Sequence, residues 1–321
     1  RFDWKKTLGD VSERPGHMND CWRYWSSDGM GLLEFLEWCE DLNIEPVLGV
    51  YAGFSLKEPA VKAGAALQPF VEDALDEIEY VTGDATTKWG SRRAKDGHAA
   101  PFKLRYIEVG NEDQFDRTPA SYDARFTQFY DAIKAKYPHL QLIATTDVKT
   151  RVPDVIDEHY YLNNDDASAA HAYEYDKRPR TGPKIFVGEY ATRVGVPTPN
   201  MAGAIGDAMW HATFERNSDI VIMTAYAPLF VNVNPGGMQW RTNLIGYDGL
   251  TSYGSPAYYA QVMFSRYAGD VVLPTEATNI PTRTWQPPAP RRRDPSEPQK
   301  PAPPAMQVPT LGYSVTRDSK T

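Results

Sequence analysis

The sequence is poor in cysteine, in long apolar runs and in clustered positive charge. Its 321 residues include two cysteines, Cys21 and Cys39, which cannot form a disulfide framework and lack the spacing of zinc ligands. No run approaches the roughly 18–20 apolar residues that a membrane-spanning helix needs, so we expect no membrane partner. The net charge is −8, and the one compact basic cluster, Arg291, Arg292 and Arg293, lies among prolines. Because phosphate binding needs a basic surface on a folded face, we expect no nucleic-acid partner.

Motifs for bound cofactors and metals are missing as well. No phosphate-cradling glycine loop and no dinucleotide fingerprint occurs, so we expect no cofactor. The six histidines include no His-Glu-x-x-His sequence and no pair four residues apart. Since such pairs are typical of helical metal sites, we expect no catalytic metal.

The sequence does contain a regular alternation of strand-like and helix-like segments. Short apolar runs predict six strands, near 46–51, 104–109, 140–145, 155–160, 185–189 and 219–226. Apolar residues at helical spacing predict helices at about 29–42, 69–81, 120–136, 167–175, 201–216 and 255–267. The polar segment 88–98 is interpreted as a loop. Strands that alternate with helices indicate an α/β fold with a parallel sheet and right-handed crossovers.

The composition changes after residue 270. Prolines recur from Pro281 to Pro309, with charged residues between them and few aliphatic ones, which predicts an extended linker over 274–310. Residues 311–321 alternate in polarity like the first strand of a further domain.

Two glutamates stand at the ends of predicted strands. Glu112 lies in Gly110-Asn111-Glu112-Asp113 after the second strand, and Glu189 closes the fifth strand. A single acidic residue in such a place is usually a surface or helix-capping carboxylate. In a parallel barrel, however, catalytic groups are recruited from the carboxyl ends of different strands. A pair of glutamates there suits the cleavage of a glycosidic bond, in which one carboxyl group protonates the leaving oxygen and the other attacks the anomeric carbon.

Longer stretches of sequence extend this pattern. Together with the two glutamate motifs, the segments 4–9, 13–16, 38–42, 157–161, 215–219 and 226–230 resemble the α-L-arabinofuranosidases of glycoside hydrolase family 51. The family is part of a clan of retaining glycosidases that carry the acid/base and the nucleophile on barrel strands four and seven. The resemblance covers about residues 3–273 and returns at 313–318.

The resemblance implies a (β/α)8 TIM barrel truncated to strands three to eight. Residues 1–273 would then form a partial catalytic barrel, 274–310 the Pro-rich linker, and 311–321 the start of a C-terminal β-sandwich. The chain begins at Arg1 with neither an initiator methionine nor the apolar segment of a signal peptide, which favours a fragment or processed form. The resemblance to secreted wall-degrading members favours an extracellular or periplasmic location.

The resemblance also implies roles for individual residues. Glu112 matches the general acid/base and Glu189 the nucleophile, with carboxyl groups expected roughly 5–5.5 Å apart. Asn111 matches the partner of the sugar 2-hydroxyl. His159 and Tyr161 match the pair that orients the nucleophile and lines the arabinose subsite.

Two other residues are judged from their position in the chain. Trp240 follows the last predicted strand and either walls the sugar pocket or serves in packing. Glu158 should point to the opposite side of its strand from His159, which favours a structural role.

The function that the resemblance implies is hydrolysis, with retention, of terminal α-L-arabinofuranosyl residues. The expected partner is an arabinose-containing polysaccharide or oligosaccharide. Two alternatives stay open: an endo-acting glucanase or xyloglucanase on the same barrel, and an inactive fragment that only binds carbohydrate.

Overall fold

The computed structural model describes residues 2–22, 24–56, 59–290 and 298–320. The predicted basic cluster Arg291, Arg292 and Arg293 and the linker residues 294–297 lie outside the described residues. The chain divides into two compact units, which are Arg1–Asp157 (unit 1) and Glu158–Thr321 (unit 2). Among the described residues, no helix has both the length and the apolar character to cross a membrane.

Unit 1 is an α/β layer whose strands are covered by helices. Its strands are β1 (His17–Met18), β2 (Trp25–Ser26), β3 (Val47–Val50), β4 (Tyr106–Val109), β5 (Gln141–Ala144) and the start of β6 (Val155–Leu162). Its helices are α1 (Leu32–Asp41), α2 (Gln68–Thr82), α3 (Lys88–Asp96) and α4 (Ser121–Lys136), with 3-10 turns at Trp4–Thr7, Val11–Glu13 and Asp113–Phe115. β3 to β6 pair in parallel, whereas β1 and β2 form a hairpin. Ile107, Val109 and Leu142 of the sheet are fully buried with Phe126 and Ile133 of α4, as expected for parallel strands with helices on their faces.

Helix α3 replaces the loop that was predicted for 88–98. The Thr87 side chain accepts a hydrogen bond from the backbone N–H of Gly90 and caps the helix, and Gly97, at φ +123°, ends it. The buried face of α3 carries Arg93 instead of a row of apolar residues. The spacing of apolar residues in the sequence therefore does not indicate a helix here. The guanidinium of Arg93 donates to five backbone carbonyl oxygens, those of Tyr80, Val81, Gly83, His98 and Ala99.

Unit 2 has the same alternation followed by short strands. Its elements are the end of β6, α5 (Asp165–Ala170), a 3-10 turn at Tyr175–Lys177, β7 (Lys184–Thr192), α6 (Met201–Arg216), β8 (Val221–Tyr226), β9 (Phe230–Asn232), β10 (Ile245–Tyr247), β11 (Ser252–Gly254), α7 (Pro256–Tyr267), β12 (Val271–Val272), β13 (Thr282–Trp285), β14 (Met306–Pro309) and β15 (Thr316–Arg317). β7 pairs in parallel with β8. Of the short strands, β9 and β10 pair in parallel and the other pairs are antiparallel. Val187 and Tyr190 of β7 are buried with Trp210 and Phe214 of α6.

The predicted fold class is confirmed. All six predicted strands are present, and they follow one another in the sheet in chain order from β3 to β8. That order is the one expected of consecutive strands of a (β/α)8 barrel. The predicted helix 167–175 is shorter in the structure, because α5 ends at Ala170 and a 3-10 turn follows at Tyr175–Lys177.

The segment predicted as an extended linker contains regular structure. β13 and β14 pair in antiparallel register, from Thr282 opposite Pro309 to Trp285 opposite Met306. Val308 is fully buried against α5 and α6, which gives this segment a local core that its proline content does not predict. The domain boundaries at 273/274 and 310/311 remain predictions.

Candidate active site

The loop after β4 holds Glu112 in an unusual backbone conformation. Glu112 lies in the left-handed region at φ +51° and Gly110 at φ +101°. A Cβ atom added at Gly110 would lie 2.0 Å from Oδ2 of Asp113, so only glycine fits this turn. Non-glycine residues with positive φ are uncommon and cluster at functional sites, where the surrounding structure maintains the strain.

Asp113 is the centre of the network that holds this loop. Its Oδ2 accepts hydrogen bonds from the backbone N–H of Asn111 at 3.1 Å and from Oγ1 of Thr145 at 2.9 Å. Its Oδ1 lies 2.8 Å from the guanidinium of Arg125, which also contacts Asp116 at 3.0 Å. Burial raises the pKa of the Asp113 carboxyl, against the opposing effect of Arg125 and the two hydrogen bonds.

Tyr122 ties the ends of two strands together beneath the same loop. Its hydroxyl donates to the carbonyl oxygen of Val109, the last residue of β4, at 2.6 Å. It accepts from the backbone N–H of Thr145, just after β5, at 2.9 Å. The buried Tyr122 side chain therefore fixes the backbone that leads into Asn111 and Glu112.

In unit 2, Glu189 of β7 is held by two side chains of β6. The hydroxyl of Tyr161 donates to Oε2 of Glu189 at 2.5 Å, and Nδ1 of His159 lies 3.4 Å from the same oxygen. The His159 side chain is only 9% exposed, whereas that of Glu189 is 30% exposed. His159 and Tyr161 share one face of the strand because side chains two residues apart point the same way.

The other face of β6 has a structural network. Oε2 of Glu158 accepts hydrogen bonds from the hydroxyls of Tyr160 at 2.7 Å and Tyr175 at 2.9 Å. Its second carboxylate oxygen lies 3.1 Å from the guanidinium of Arg178. The structural role predicted for Glu158 is consistent with these contacts.

An aromatic wall adjoins Glu189, and it includes an arginine that the sequence analysis missed. The rings of Tyr161 and Trp240 lie 5.7 Å apart between centroids. The guanidinium of Arg193 lies 5.3 Å from the Tyr161 ring and 5.9 Å from the Trp240 ring. It donates to Oδ1 of Asn163 at 2.9 Å. The signal that could have identified Arg193 is its place four residues after Glu189, just past the carboxyl end of β7.

The structure thus brings four predicted site residues together in unit 2, namely Glu189, His159, Tyr161 and Trp240. The other two, Asn111 and Glu112, lie on the loop after β4 in unit 1. Hydrogen bonds to a carboxylate favour its ionised form, so the surroundings of Glu189 suit a nucleophile with a fixed direction. A flat aromatic side chain beside it can pack against the apolar face of a sugar.

Comparisons with known proteins show the family to which the chain is similar. The family model described as "Alpha-L-arabinofuranosidase 1 domain" matches residues 1–180, and the one described as "Alpha-L-arabinofuranosidase C-terminal domain" matches residues 175–309. The probable α-L-arabinofuranosidase A of Aspergillus flavus is 43% identical over 281 residues, which are 85% of this chain and 44% of that protein. The α-L-arabinofuranosidase A of Aspergillus niger is 42% identical over 282 residues, with the same two coverages.

A solved structure extends the likeness to the fold. The arabinose-bound MgGH51 α-L-arabinofuranosidase is similar with a TM-score of 0.79 and 37% identity, over 87% of this chain and 46% of that chain. The chain therefore spans less than half the length of these relatives. Their similarity confirms the predicted barrel class and the predicted family. The chain belongs to the α-L-arabinofuranosidases of glycoside hydrolase family 51.

Proposed function

We propose that this protein, in its full-length form, is a retaining, exo-acting α-L-arabinofuranosidase. In the first step, ionised Glu189 attacks the anomeric carbon of a terminal arabinofuranosyl unit while the protonated Glu112 donates its proton to the departing oxygen. In the second step, Glu112 removes a proton from water, which displaces the sugar from Glu189 with overall retention. The observation that carries the proposal is the 2.5 Å hydrogen bond from Tyr161 to Glu189.

The contacts of Glu189 support its assignment as the nucleophile. A nucleophilic carboxylate must be ionised and must keep one oxygen directed at the anomeric carbon. Tyr161 and His159 both contact Oε2, so this oxygen is engaged in holding the group. We infer that these two contacts fix the direction of the Glu189 carboxylate for its attack on the anomeric carbon.

The loop built around Asp113 supports the assignment of Glu112 as acid/base. A proton donor must reach the glycosidic oxygen in one geometry and then accept a proton from water in the same geometry. The left-handed backbone at Glu112 is maintained by the buried pair of Asp113 and Arg125, which limits the freedom of the loop. We infer that this rigidity serves both steps.

Four residues are proposed to bind the sugar. Asn111 would contact the 2-hydroxyl, His159 and Tyr161 would line the arabinose subsite, and Trp240 would form its wall. We add Arg193 to this set, because its guanidinium packs over the rings of Tyr161 and Trp240. The substrate class is an oligosaccharide or polysaccharide with terminal arabinofuranosyl units, as the names of the relatives suggest.

The test uses the full-length protein and an aryl α-L-arabinofuranoside. Glu189→Ala should abolish turnover, and added azide should restore a glycosyl azide of inverted configuration, because azide takes the place of the missing carboxylate. Glu112→Ala should keep activity only on substrates whose leaving group needs no protonation, with azide then giving a product of retained configuration. Glu158→Gln is the matched control, since that carboxylate lies on the opposite face of β6 and should leave turnover close to the parental rate.

The outcomes separate the proposal from its alternatives. Full activity of Glu189→Ala would refute the assignment of the nucleophile. Shortening of a glucan or xyloglucan backbone without release of arabinose would indicate an endo-acting enzyme. Sugar binding by calorimetry without hydrolysis by the parental protein would indicate a binding function.

A further inference from the structure

A buried carboxyl group that the proposed reaction does not use lies next to β7. Asp207 of α6 is fully buried, and its Oδ1 accepts a hydrogen bond from the backbone N–H of Thr192 at 2.8 Å. Its Oδ2 is buried without a hydrogen-bond partner among the described residues. Burying a carboxyl group costs free energy unless its oxygens are hydrogen-bonded or paired with a cation, so the half-satisfied carboxyl of Asp207 calls for an explanation.

The strand next to Asp207 is irregular at the site residue itself. Val187 of β7 pairs with Thr224 of β8, but Tyr190 pairs with Tyr226. Three steps along β7 therefore match two steps along β8, which places one extra residue in the segment that contains Gly188 and Glu189. Such a bulge redirects a side chain, and a change of one residue in register moves side chains to the other face of a sheet.

A bulge holds Glu189 in one direction only if the strand that follows it is anchored. After the bulge, Tyr190 is buried and its hydroxyl lies 3.1 Å from Nε2 of His211. Two residues further on, α5 and α6 both hold Thr192, through its hydroxyl and through its backbone N–H. The hydroxyl lies 2.6 Å from Oγ of Ser168, and the N–H is the one bonded to Asp207.

A glycine in α6 allows the helix to approach β7 closely enough for the hydrogen bond between Asp207 and Thr192. Gly206, the residue before Asp207, faces Thr192, and a Cβ atom at position 206 would lie 2.6 Å from the Thr192 hydroxyl oxygen. A glycine inside a helix is unfavourable for the helix, but here it permits the close approach that brings Asp207 to the backbone of β7.

We propose that Asp207 is a positioning residue for Glu189, acting by anchoring the backbone of β7 at Thr192 just beyond the bulge. This inference rests on the proposed role of Glu189. Asp207 itself does not touch the site, and its effect is transmitted through three residues of strand. Burial raises the pKa of the Asp207 carboxyl to about 7, so the group serves as a hydrogen-bond acceptor without requiring a counter-charge.

The experiment compares two substitutions in the full-length protein. Asp207→Leu keeps the branched shape but removes the acceptor, and it should lower kcat roughly 10- to 100-fold with little change in KM, because a small misplacement of the nucleophile slows the chemical step. Asp207→Asn keeps an acceptor oxygen and should restore most of kcat. Thr213→Val is the matched control: Thr213 is buried on the same helix but donates to Ala172 and not to β7, so its loss should reduce stability and leave kcat unchanged.

Hydrogen exchange provides a readout that does not depend on catalysis. The amide of Thr192 should exchange faster in Asp207→Leu than in the parental protein, Asp207→Asn or Thr213→Val. If Asp207→Leu does not fold, Asp207→Ala takes its place in the measurements of kcat and of hydrogen exchange at Thr192. Unchanged kcat and unchanged exchange at Thr192 would overturn the inference. If the parental protein hydrolyses no arabinofuranoside, the proposed function fails, while the exchange measurement still tests the anchor.

Discussion

The Tyr161 hydroxyl and Oε2 of Glu189 are joined by a 2.5 Å hydrogen bond between neighbouring strands β6 and β7. A hydrogen bond to an ionised group is worth about 1.5–3 kcal/mol. This contact therefore favours the ionised carboxylate and fixes its rotation, both of which a nucleophile needs. Both residues lie in unit 2.

Replacing Tyr161 by phenylalanine should remove this hydrogen bond and preserve the ring in the aromatic wall. We expect kcat/KM on an aryl arabinofuranoside to fall roughly 10- to 100-fold, in line with the loss of one charge-assisted hydrogen bond. Tyr160→Phe is the matched control, since its hydroxyl bonds Glu158 on the other face of the strand. Equal losses in the two variants would mean that the effect comes from strand stability and not from Glu189.

The sequence was informative about the fold where the hydrophobic pattern was simple. The six strands were found because each is a short apolar run, as in Val47–Val50 and Tyr106–Val109. Helix α3 was missed because a buried arginine, Arg93, replaces its apolar stripe. The ladder between β13 and β14 was missed because its stability comes from Val308, which is buried against residues far away in the chain.

The site was predictable only as far as motifs extend. His159, Tyr161 and Glu189 were selected from sequence, and the structure brings them into contact, while their roles remain predictions. Arg193 and Asp207 carried no motif. Their significance comes from what they touch in space, an aromatic wall in one case and a backbone N–H in the other, and no local pattern encodes such contacts.

Arg193 and Trp240 should be energetically coupled. A cation over an aromatic ring contributes about 0.5–2 kcal/mol, so Arg193→Met and Trp240→Leu should each raise KM, and their effects on kcat/KM should be non-additive by a similar amount. The control pair is Arg193→Met with Trp285→Leu, which alters a residue of β13. The effects of these two substitutions on kcat/KM should be additive. Strict additivity in the first pair would show that the stacking of Arg193 does not contribute to substrate binding.

Gly110→Ala should disturb the loop that carries Glu112 more than backbone strain alone explains. Gly110 and Gly97 both have positive φ, but an added Cβ at Gly97 meets open space, whereas one at Gly110 lies 2.0 Å from Asp113. Gly97→Ala should cost about 1–3 kcal/mol of unfolding free energy. Gly110→Ala should cost more and also lower kcat. Equal costs and unchanged kcat would argue against a tightly built loop.

The pair of Arg125 and Asp113 should contribute far more to stability than a surface pair in the same unit. Arg125→Met leaves two buried carboxylates, those of Asp113 and Asp116, without their cation, and should cost about 3–5 kcal/mol. Arg151→Met breaks an ion pair with Asp131 whose side chains are 41% and 51% exposed, and should cost at most about 1 kcal/mol. Denaturant unfolding of both variants measures the difference, and similar costs would contradict it.

Asp207 should make the stability of the protein depend on pH in a direction opposite to that of most carboxylates. Its pKa is raised from 3.8 to about 7 by burial, so between these values the folded state binds a proton that the unfolded state releases. The free energy of unfolding is therefore highest below pH 4, as far as Asp207 contributes to it. It falls by about 4 kcal/mol in total as the pH rises toward 7.

Asp207→Asn does not titrate, so its stability relative to the parental protein should increase from pH 4 to pH 8. The comparison is a difference between two proteins that share every other titrating group. His211, whose pKa is lowered to about 4 by burial, destabilises both equally as the pH falls below 6.5 and cancels from the difference. Thermal unfolding across this range measures the effect. Parallel profiles for the two proteins would show that the Asp207 carboxyl is ionised throughout, and that it anchors Thr192 as a charged acceptor.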